Sequence, residues 1–382
     1  MTKKFLLWIT LFSAVGTLAV QLCALVSLGG EDFGLFSLFY LVAAFALSIQ
    51  LSTISEAWIR SNPAEHKSDW ADYSTVSVVF SLLSGAVALC FAVSIPALNN
   101  VAILIFIAVV STVYRASARF YSLRNEDARG VFWGDLGSML IAVSGAVVIL
   151  LSYRNSLLAV VALWATAAFC SALLSRLPQL QSWRALTRWY SDRKTVIKPL
   201  LGESLFMDLS AIGTPLLMMP LLGIANFGIY RGVSNVAAPI RIILNPLRPR
   251  LSHLTQERIS RRSTLAVIAL GSVVMGLLAG IVLVVISVSH LKFGTLSSLS
   301  VYAIPTALFV CANMFGHTYY MLARQHSPTR VIVVARVVQT GVGVLLPLVG
   351  VFTLGLAGAI WGYALATVLS GSFWAYSVIS RR

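Results

Sequence analysis

Long apolar runs separated by short polar breaks organise this chain. They fall at residues 5–28, 35–55, 74–95, 97–114, 135–152 and 156–174. After a polar stretch they resume at 200–222, 227–244, 264–288, 297–321, 331–351 and 354–380. A helix needs about 20 apolar residues to cross a bilayer core, and in lipid a helix satisfies all its backbone polar groups internally. The pattern predicts an all-α polytopic membrane protein with about twelve transmembrane helices. The fourth run is the weakest, because Arg115 cuts it short; it spans only if Arg115 and Arg119 snorkel to the interface.

Composition agrees with this pattern. Of 382 residues, 58% are hydrophobic and 11% charged, whereas soluble domains carry about 25% charged residues; a water-soluble enzyme is excluded. Cys23, Cys90, Cys170 and Cys311 all fall inside apolar runs, without metal or disulfide spacing, and read as small buried hydrophobes. The opening Met1-Thr2-Lys3-Lys4 leads into an uncleaved first helix.

Charge placement supplies orientation. The chain has 28 Lys and Arg against 13 Asp and Glu, a net +15. With the N-terminus cytoplasmic, 24 of the 28 cations lie in or beside cytoplasmic segments. Arg154 and Lys292 fall outside, and Arg231 and Arg336 lie within spans. The positive-inside rule then puts both termini in the cytoplasm and the chain in a bacterial cytoplasmic (inner) membrane. The basic surplus faces anionic inner-leaflet lipid and not nucleic acid. The expected division is a six-helix lobe at 1–174, a cytoplasmic basic linker at 175–199 and a six-helix lobe at 200–382. Residues 175–198, with Trp183 and Trp189 among six cations, read as an interfacial amphipathic helix or as a solvated linker.

The outer loops are too short for an extracytoplasmic domain. There is no GxxxxGK[ST] phosphate loop, no His-x-x-x-His or Cys-x-x-Cys, and no Ser/His/Asp grouping. No catalytic residue, metal or cofactor is expected; transport remains.

An internal repeat points to the kind of transport. The first outer turn reads Gly30-Glu31-Asp32-Phe33-Gly34-Leu35-Phe36-Ser37, and the turn before span eight reads Ala225-Asn226-Phe227-Gly228-Ile229-Tyr230-Arg231. Both carry an acid or amide, then Phe-Gly-aliphatic-aromatic, 194 residues apart. Equal placement in two six-helix halves implies a parallel repeat. These turns, the following Ala238-Pro239 and Asn245-Pro246-Leu247-Arg248, and Gly355-Leu356-Ala357-Gly358-Ala359 in the last span resemble the multidrug/oligosaccharidyl-lipid/polysaccharide exporter superfamily, in its O-antigen and capsule flippase branch. The resemblance implies two six-helix bundles forming a V around a central cavity, working by alternating access. The implied cargo is a polyprenyl-pyrophosphate-linked oligosaccharide, moved from the inner to the outer leaflet for surface polysaccharide assembly. Polysaccharide polymerases or glycosyltransferases are the partners such a role implies.

A pyrophosphate needs cationic donors at depth, and arginine offers a planar fork for phosphate oxygens. Arg231 and Arg336 are the embedded candidates, each reading either as cavity lining or, for Arg231, as a snorkelling anchor. Asp208 and Glu203 read as candidates for a coupling proton or cation; Asp208 reads alternatively as a structural partner of Arg336, and Glu203 lies nearer the cytoplasmic end. Thr17 and Gln21 on the first span, Asn235 beside Arg231, and Gln339 beside Arg336 form polar stripes suited to sugar or to helix packing. Arg115 and Arg119 sit at the inner mouth, as gatherers of pyrophosphate or as anchors. Asp135 reads as an interfacial helix-start residue.

Two rival readings come from other chemistry. An ion-coupled multidrug exporter of the same superfamily calls for an N-terminal acid cluster, and the first four spans hold no mid-membrane acid. A membrane glycosyltransferase or polysaccharide polymerase would use Glu31-Asp32 as an acidic pair, but lacks outer loops to hold an acceptor.

Overall fold

A computed structural model describes residues 3–60, 70–125, 127–152, 155–240, 242–244, 259, 261–289 and 292–380. The Asn245–Arg248 motif and Lys67, Arg154, Arg241, Arg250, Arg258, Arg381 and Arg382 lie outside the described residues. Among the described residues there is no strand. Among the described residues nine helices are long and apolar enough to cross a membrane, or ten if one bent pair is a single span, with the folded-back segment 330–379 counted once.

The chain divides into two compact units. The first unites Met1–Ser27 with Phe36–Asp208. It contains α1 (Lys3–Ser27), most of α2 (Gly30–Gln50), α3 (Trp70–Val93), α4 (Ala102–Arg124), α5 (Ala128–Leu151), α6 (Leu157–Leu174) and α7 (Arg184–Asp208). Here α1 packs on α5, α3 on α4, and α6 on both α4 and α5. Several hydroxyls along these helices bond their own backbones. Thr10 donates to the Leu6 carbonyl at 2.9 Å, Ser81 to Ser77 at 2.7 Å and Ser144 to Leu140 at 2.7 Å. Such back-bonding lets Ser and Thr sit in an apolar helix without an unsatisfied donor.

One end of this unit is built from aromatics. α2 widens into a π-helical turn, Leu51–Glu56, before Ala57–Arg60. Trp58 stacks on Tyr121 at 4.8 Å, and Trp70 lies 4.8 Å from Tyr121. Tyr73 donates to the Ser117 carbonyl at 3.1 Å and pairs with the Ser55 hydroxyl at 2.9 Å, while Gln50 donates to Ser55 at 2.6 Å. The Ser55 hydroxyl of the π-turn is thereby satisfied inside the cluster.

The basic linker is strapped to this cluster. Trp70 Nε1 donates to the Leu177 carbonyl at 2.8 Å, Tyr114 to Arg176 at 2.6 Å, and Ser74 accepts from the Gln179 N–H at 3.0 Å. Trp189 is buried, with Arg193 stacked 4.1 Å over its ring, whereas Trp183 is exposed. α7 runs through Pro199 to Asp208. The division expected after residue 199 accordingly falls after Asp208.

The second unit joins Leu28–Leu35 to Leu209–Arg382. It contains α8 (Thr214–Leu222), α9 (Ile224–Val236), α10 (Arg262–Ser289), α11 (Ala303–His326) and α12 (Thr329–Ile379). α10 and α12 both pack on α11. α12 spans 51 residues but turns at Leu354 and Gly355, where the backbone leaves helical geometry. Gly355 has φ +59°, a conformation costly for a residue with a Cβ. Beyond it Gly358 lies against Gly350, and Gly362 against the Leu346 carbonyl. The two halves of α12 therefore run back along each other, as the separate apolar runs 331–351 and 354–380 require. Within the expected run 227–244, α9 ends at Val236, and helical residues resume at 238–240 and 242–244.

The repeated turns meet each other. α2 begins at Gly30, so the expected outer loop is helix, with Glu31 and Asp32 in its first turn where negative charge suits the helix N-terminus. Gly34 lies against the Ile224 carbonyl and Gly228 against the Gly30 carbonyl. Thr295 donates to the Leu28 carbonyl through its N–H at 2.7 Å and its hydroxyl at 2.8 Å. A Cβ at either glycine would overlap backbone. Gly228→Ala should therefore destabilise the protein by about 1–3 kcal/mol, the usual cost of overpacking. Gly271→Ala, in open space on α10, should gain about 0.5–1 kcal/mol of helix stability. Thermal unfolding of the two purified variants checks the contrast.

Candidate functional site

The site is built on α4. Instead of stopping at Arg115, this helix continues to Arg124, carrying Arg115 and Arg119 one turn apart. Both meet Asp135 on α5. Arg115 Nη2 donates to one carboxylate oxygen at 2.6 Å, and Arg119 Nε to the other at 2.9 Å. Arg115 also donates to Ser138 Oγ at 3.3 Å and Ser13 Oγ at 3.4 Å, so α1, α4 and α5 share one polar node. Asp135 lies two turns inside α5 and is 1% exposed, a buried counter-charge and not the helix-start residue its position in the apolar run suggested. The physical reason is mutual: the arginines can stay within a span because the carboxylate neutralises part of their charge, and the carboxylate can be buried because they hold it.

A cavity of about 530 Å³ opens beside this node. Its polar lining is Ser13, Thr17, Thr112, Arg115, Arg119 and Arg124, and the remaining lining residues, such as Leu47 and Phe120, are apolar. The side chains of Arg115 and Arg119 are 15% and 26% exposed, and that of Asp135 2%. One carboxylate set against three guanidiniums leaves the region cationic. Such an arrangement can hold an anion through forked N–H donors, with hydroxyls for neighbouring polar groups.

The other expected residues distribute as follows. Thr17 lines the cavity, its hydroxyl bonded to the Ser13 carbonyl at 2.9 Å. Gln21 is half-buried further along α1 and outside the lining. Asp208 closes α7 in the first unit, 3.5 Å from the Ser204 hydroxyl, which bonds Ser48 at 2.8 Å. Glu203 is exposed on α7. In the second unit, half-buried Arg231 and buried Asn235 lie on α9. Arg336 and Gln339 do come together: Arg336 Nη1 donates to Gln339 Oε1 at 3.0 Å, which also accepts from Trp374 Nε1 at 3.2 Å. The Arg336 guanidinium lies 4.1 Å over the Tyr320 ring and 5.6 Å from the Trp374 ring, a cation–π arrangement that fixes its orientation. Among the described residues no group of three His, Cys, Asp or Glu side chains could hold a metal ion.

Asp135, Ser138, Tyr320 and Trp374 were not singled out as site residues from the sequence. One signal could have found two of them. α4 and α5 begin at Ala102 and Ala128, and α11 and α12 begin 201 residues later, at Ala303 and Thr329. The same shift carries Arg119 onto Tyr320 and Asp135 onto Arg336. The carboxylate–guanidinium contact of the first unit has a guanidinium–aromatic contact as its counterpart in the second.

No family model matches the chain, and no curated protein matches it by sequence. Solved structures do. A multidrug resistance MATE family transporter of the MOP superfamily, in its inward-facing conformation, aligns at TM-score 0.67 and 13% identity over 98% of each chain. The lipid II flippase MurJ, in an inward closed conformation, aligns at TM-score 0.65 and 10% identity, over 99% of this chain and 87% of that one. A MATE structure in the straight conformation aligns at TM-score 0.55 and 14% identity, over 100% and 99%. The chain therefore has the fold that this superfamily of exporters shares, as the sequence resemblance implied, and is a multi-pass membrane protein.

The Asp135 node makes a direct stability prediction. Asp135→Ala leaves two guanidiniums without their carboxylate and should cost about 3–5 kcal/mol. Asp127→Ala removes an exposed carboxylate 3.9 Å from Arg176 and should cost under about 1 kcal/mol. Chemical or thermal unfolding of the two variants in the same detergent measures the difference.

Proposed function

We propose that this chain is a flippase that moves a polyprenyl-pyrophosphate-linked oligosaccharide from the inner to the outer leaflet by alternating access. The observation that carries this reading is the cavity of the first unit, whose polar lining is three arginines and three hydroxyls with no carboxylate among them. The arginines suit a phosphate and the hydroxyls suit a sugar, while the apolar wall suits the first part of a lipid tail. The basic segments support a cytoplasmic position for the cavity, where such a lipid-linked glycan is assembled, and suit anionic inner-leaflet lipid. Arg231 and Arg336, with Asn235 and Gln339, serve the head group in the second unit. Asp208, beside Ser204 and Ser48, is the candidate for binding a coupling proton or cation.

Likeness to MATE transporters favours a second reading, export of small drugs. The cationic lining weighs against cationic drugs, which would meet like charge at close range.

Depletion of the protein in cells tests the two. Under the flippase reading, complete lipid-linked oligosaccharide accumulates facing inward, shielded from a glycan-modifying enzyme added outside. Incomplete or outward-facing glycan would indicate a transferase or polymerase instead, and unchanged glycan lipids would favour the drug exporter. Arg119→Ala should lower glycan export about tenfold at normal membrane levels of the protein, the effect of losing one charge-assisted bond of ~1.5 kcal/mol.

A further inference from the structure

We propose that Asp135 is an internal counter-anion: it occupies the arginine pair when the cavity is empty, and an incoming phosphate group competes with it for the same guanidiniums. The inference rests on the reading that the cargo carries phosphate and adds what the site does to release it.

Three observations carry it. First, the two arginines are engaged unequally. Arg115 spends its terminal nitrogens on Asp135, Ser13 and Ser138. Arg119 meets Asp135 through Nε at 2.9 Å, and among the described residues no hydrogen bond is formed by its two Nη groups, although its side chain lines the cavity. A bidentate fork is thus left over on the cavity side, the geometry that phosphate oxygens take. Second, the carboxylate is buried while the arginines are partly exposed, so an anion entering the cavity reaches the guanidiniums without first displacing Asp135. Third, the carboxylate accompanies the arginine pair: the 201-residue shift puts Gly316 and Tyr320 in place of Arg115 and Arg119, and no carboxylate in place of Asp135. At the repeat-equivalent position the second unit carries Arg336, stacked on Tyr320, and the same pair of helices still packs together.

A transporter's binding site must also let go. Two adjacent guanidiniums with no carboxylate behind them would hold a diphosphate tightly, since each unit of charge at this range changes binding strongly. By competing for the same guanidiniums, Asp135 offsets part of that attraction, leaving enough to capture the head group but not to trap it. It is a positioning and specificity residue, acting through Arg115 and Arg119.

The test uses the full chain in lipid nanodiscs, with inorganic pyrophosphate as the probe at fixed ionic strength. Asp135→Asn should bind pyrophosphate about tenfold tighter than the natural protein or more, and should export glycan more slowly in cells. Arg119→Gln should bind it more weakly. Tighter binding with slower export is a split that a merely structural role would not produce. Asp135→Asn that binds pyrophosphate no tighter, or no binding by any form, overturns the proposal. If Asp135→Asn does not fold, purification in pyrophosphate replaces the comparison. Recovery of folded protein by pyrophosphate, and not by chloride of equal ionic strength, supports the counter-anion; no recovery overturns it. Pyrophosphate binding that tightens while depletion leaves glycan lipids unchanged would keep the counter-anion and refute the cargo. Unchanged affinity with inward accumulation of glycan lipid would do the reverse.

Discussion

An ionised side chain inside an apolar slab must be held by opposite charge, and much of the first unit is arranged to meet that condition at Asp135. Desolvating a carboxylate costs several kcal/mol even after the surroundings relax, so a buried Asp without partners would be neutral or absent. Two arginines from α4 meet it, and Ser13 and Ser138 take up further guanidinium hydrogens. This single node ties α1, α4 and α5 together across a region where side chains otherwise offer only dispersion contacts. It also explains why a helix can carry Arg115 and Arg119 without ending, and why the cavity beside it is polar on one wall.

Much of the fold was legible in the sequence because its signals are local. An apolar run of membrane length needs no partner to declare itself. The helix boundaries around charged residues were not legible. Arg115 looked like the end of a span and Asp135 like the start of one, since each reads as an interfacial charge when taken alone. Their pairing joins residues 20 apart across two helices, and no spacing rule on one helix reveals it. The repeat was seen at its turns, where the shift is 194 residues, but α4 and α5 repeat at 201. The seven-residue drift hid the correspondence of Asp135 with Arg336. The aromatic cluster was equally invisible, because Trp58, Trp70, Tyr121 and Trp189 come from four separate segments.

Fold alone does not choose among exporters, since one architecture serves multidrug transporters and a lipid II flippase alike. A physical basis for choosing is the charge that a cavity offers. A site for organic cations is served by carboxylates, whereas Arg115, Arg119 and Arg124 present the opposite sign. Arg336, oriented by Tyr320, Trp374 and Gln339, extends the same sign to the second unit. Under the proposed reading, the choice of cargo rests on a few embedded side chains and their counter-ions.

The membership of Leu28–Leu35 in the second unit has a consequence for biogenesis. The bond from Thr295 to Leu28 joins residues 267 apart, and the Gly34 contact waits for Ile224. At roughly 5–20 residues per second of synthesis, the tip of the first hairpin emerges tens of seconds before its partners exist. Through that interval its glycines and the Leu28 carbonyl face lipid headgroups and water, or the insertion machinery itself. The first two helices must therefore enter the bilayer as a provisional hairpin, and the chain completes its N-terminal turn only when the C-terminal half arrives.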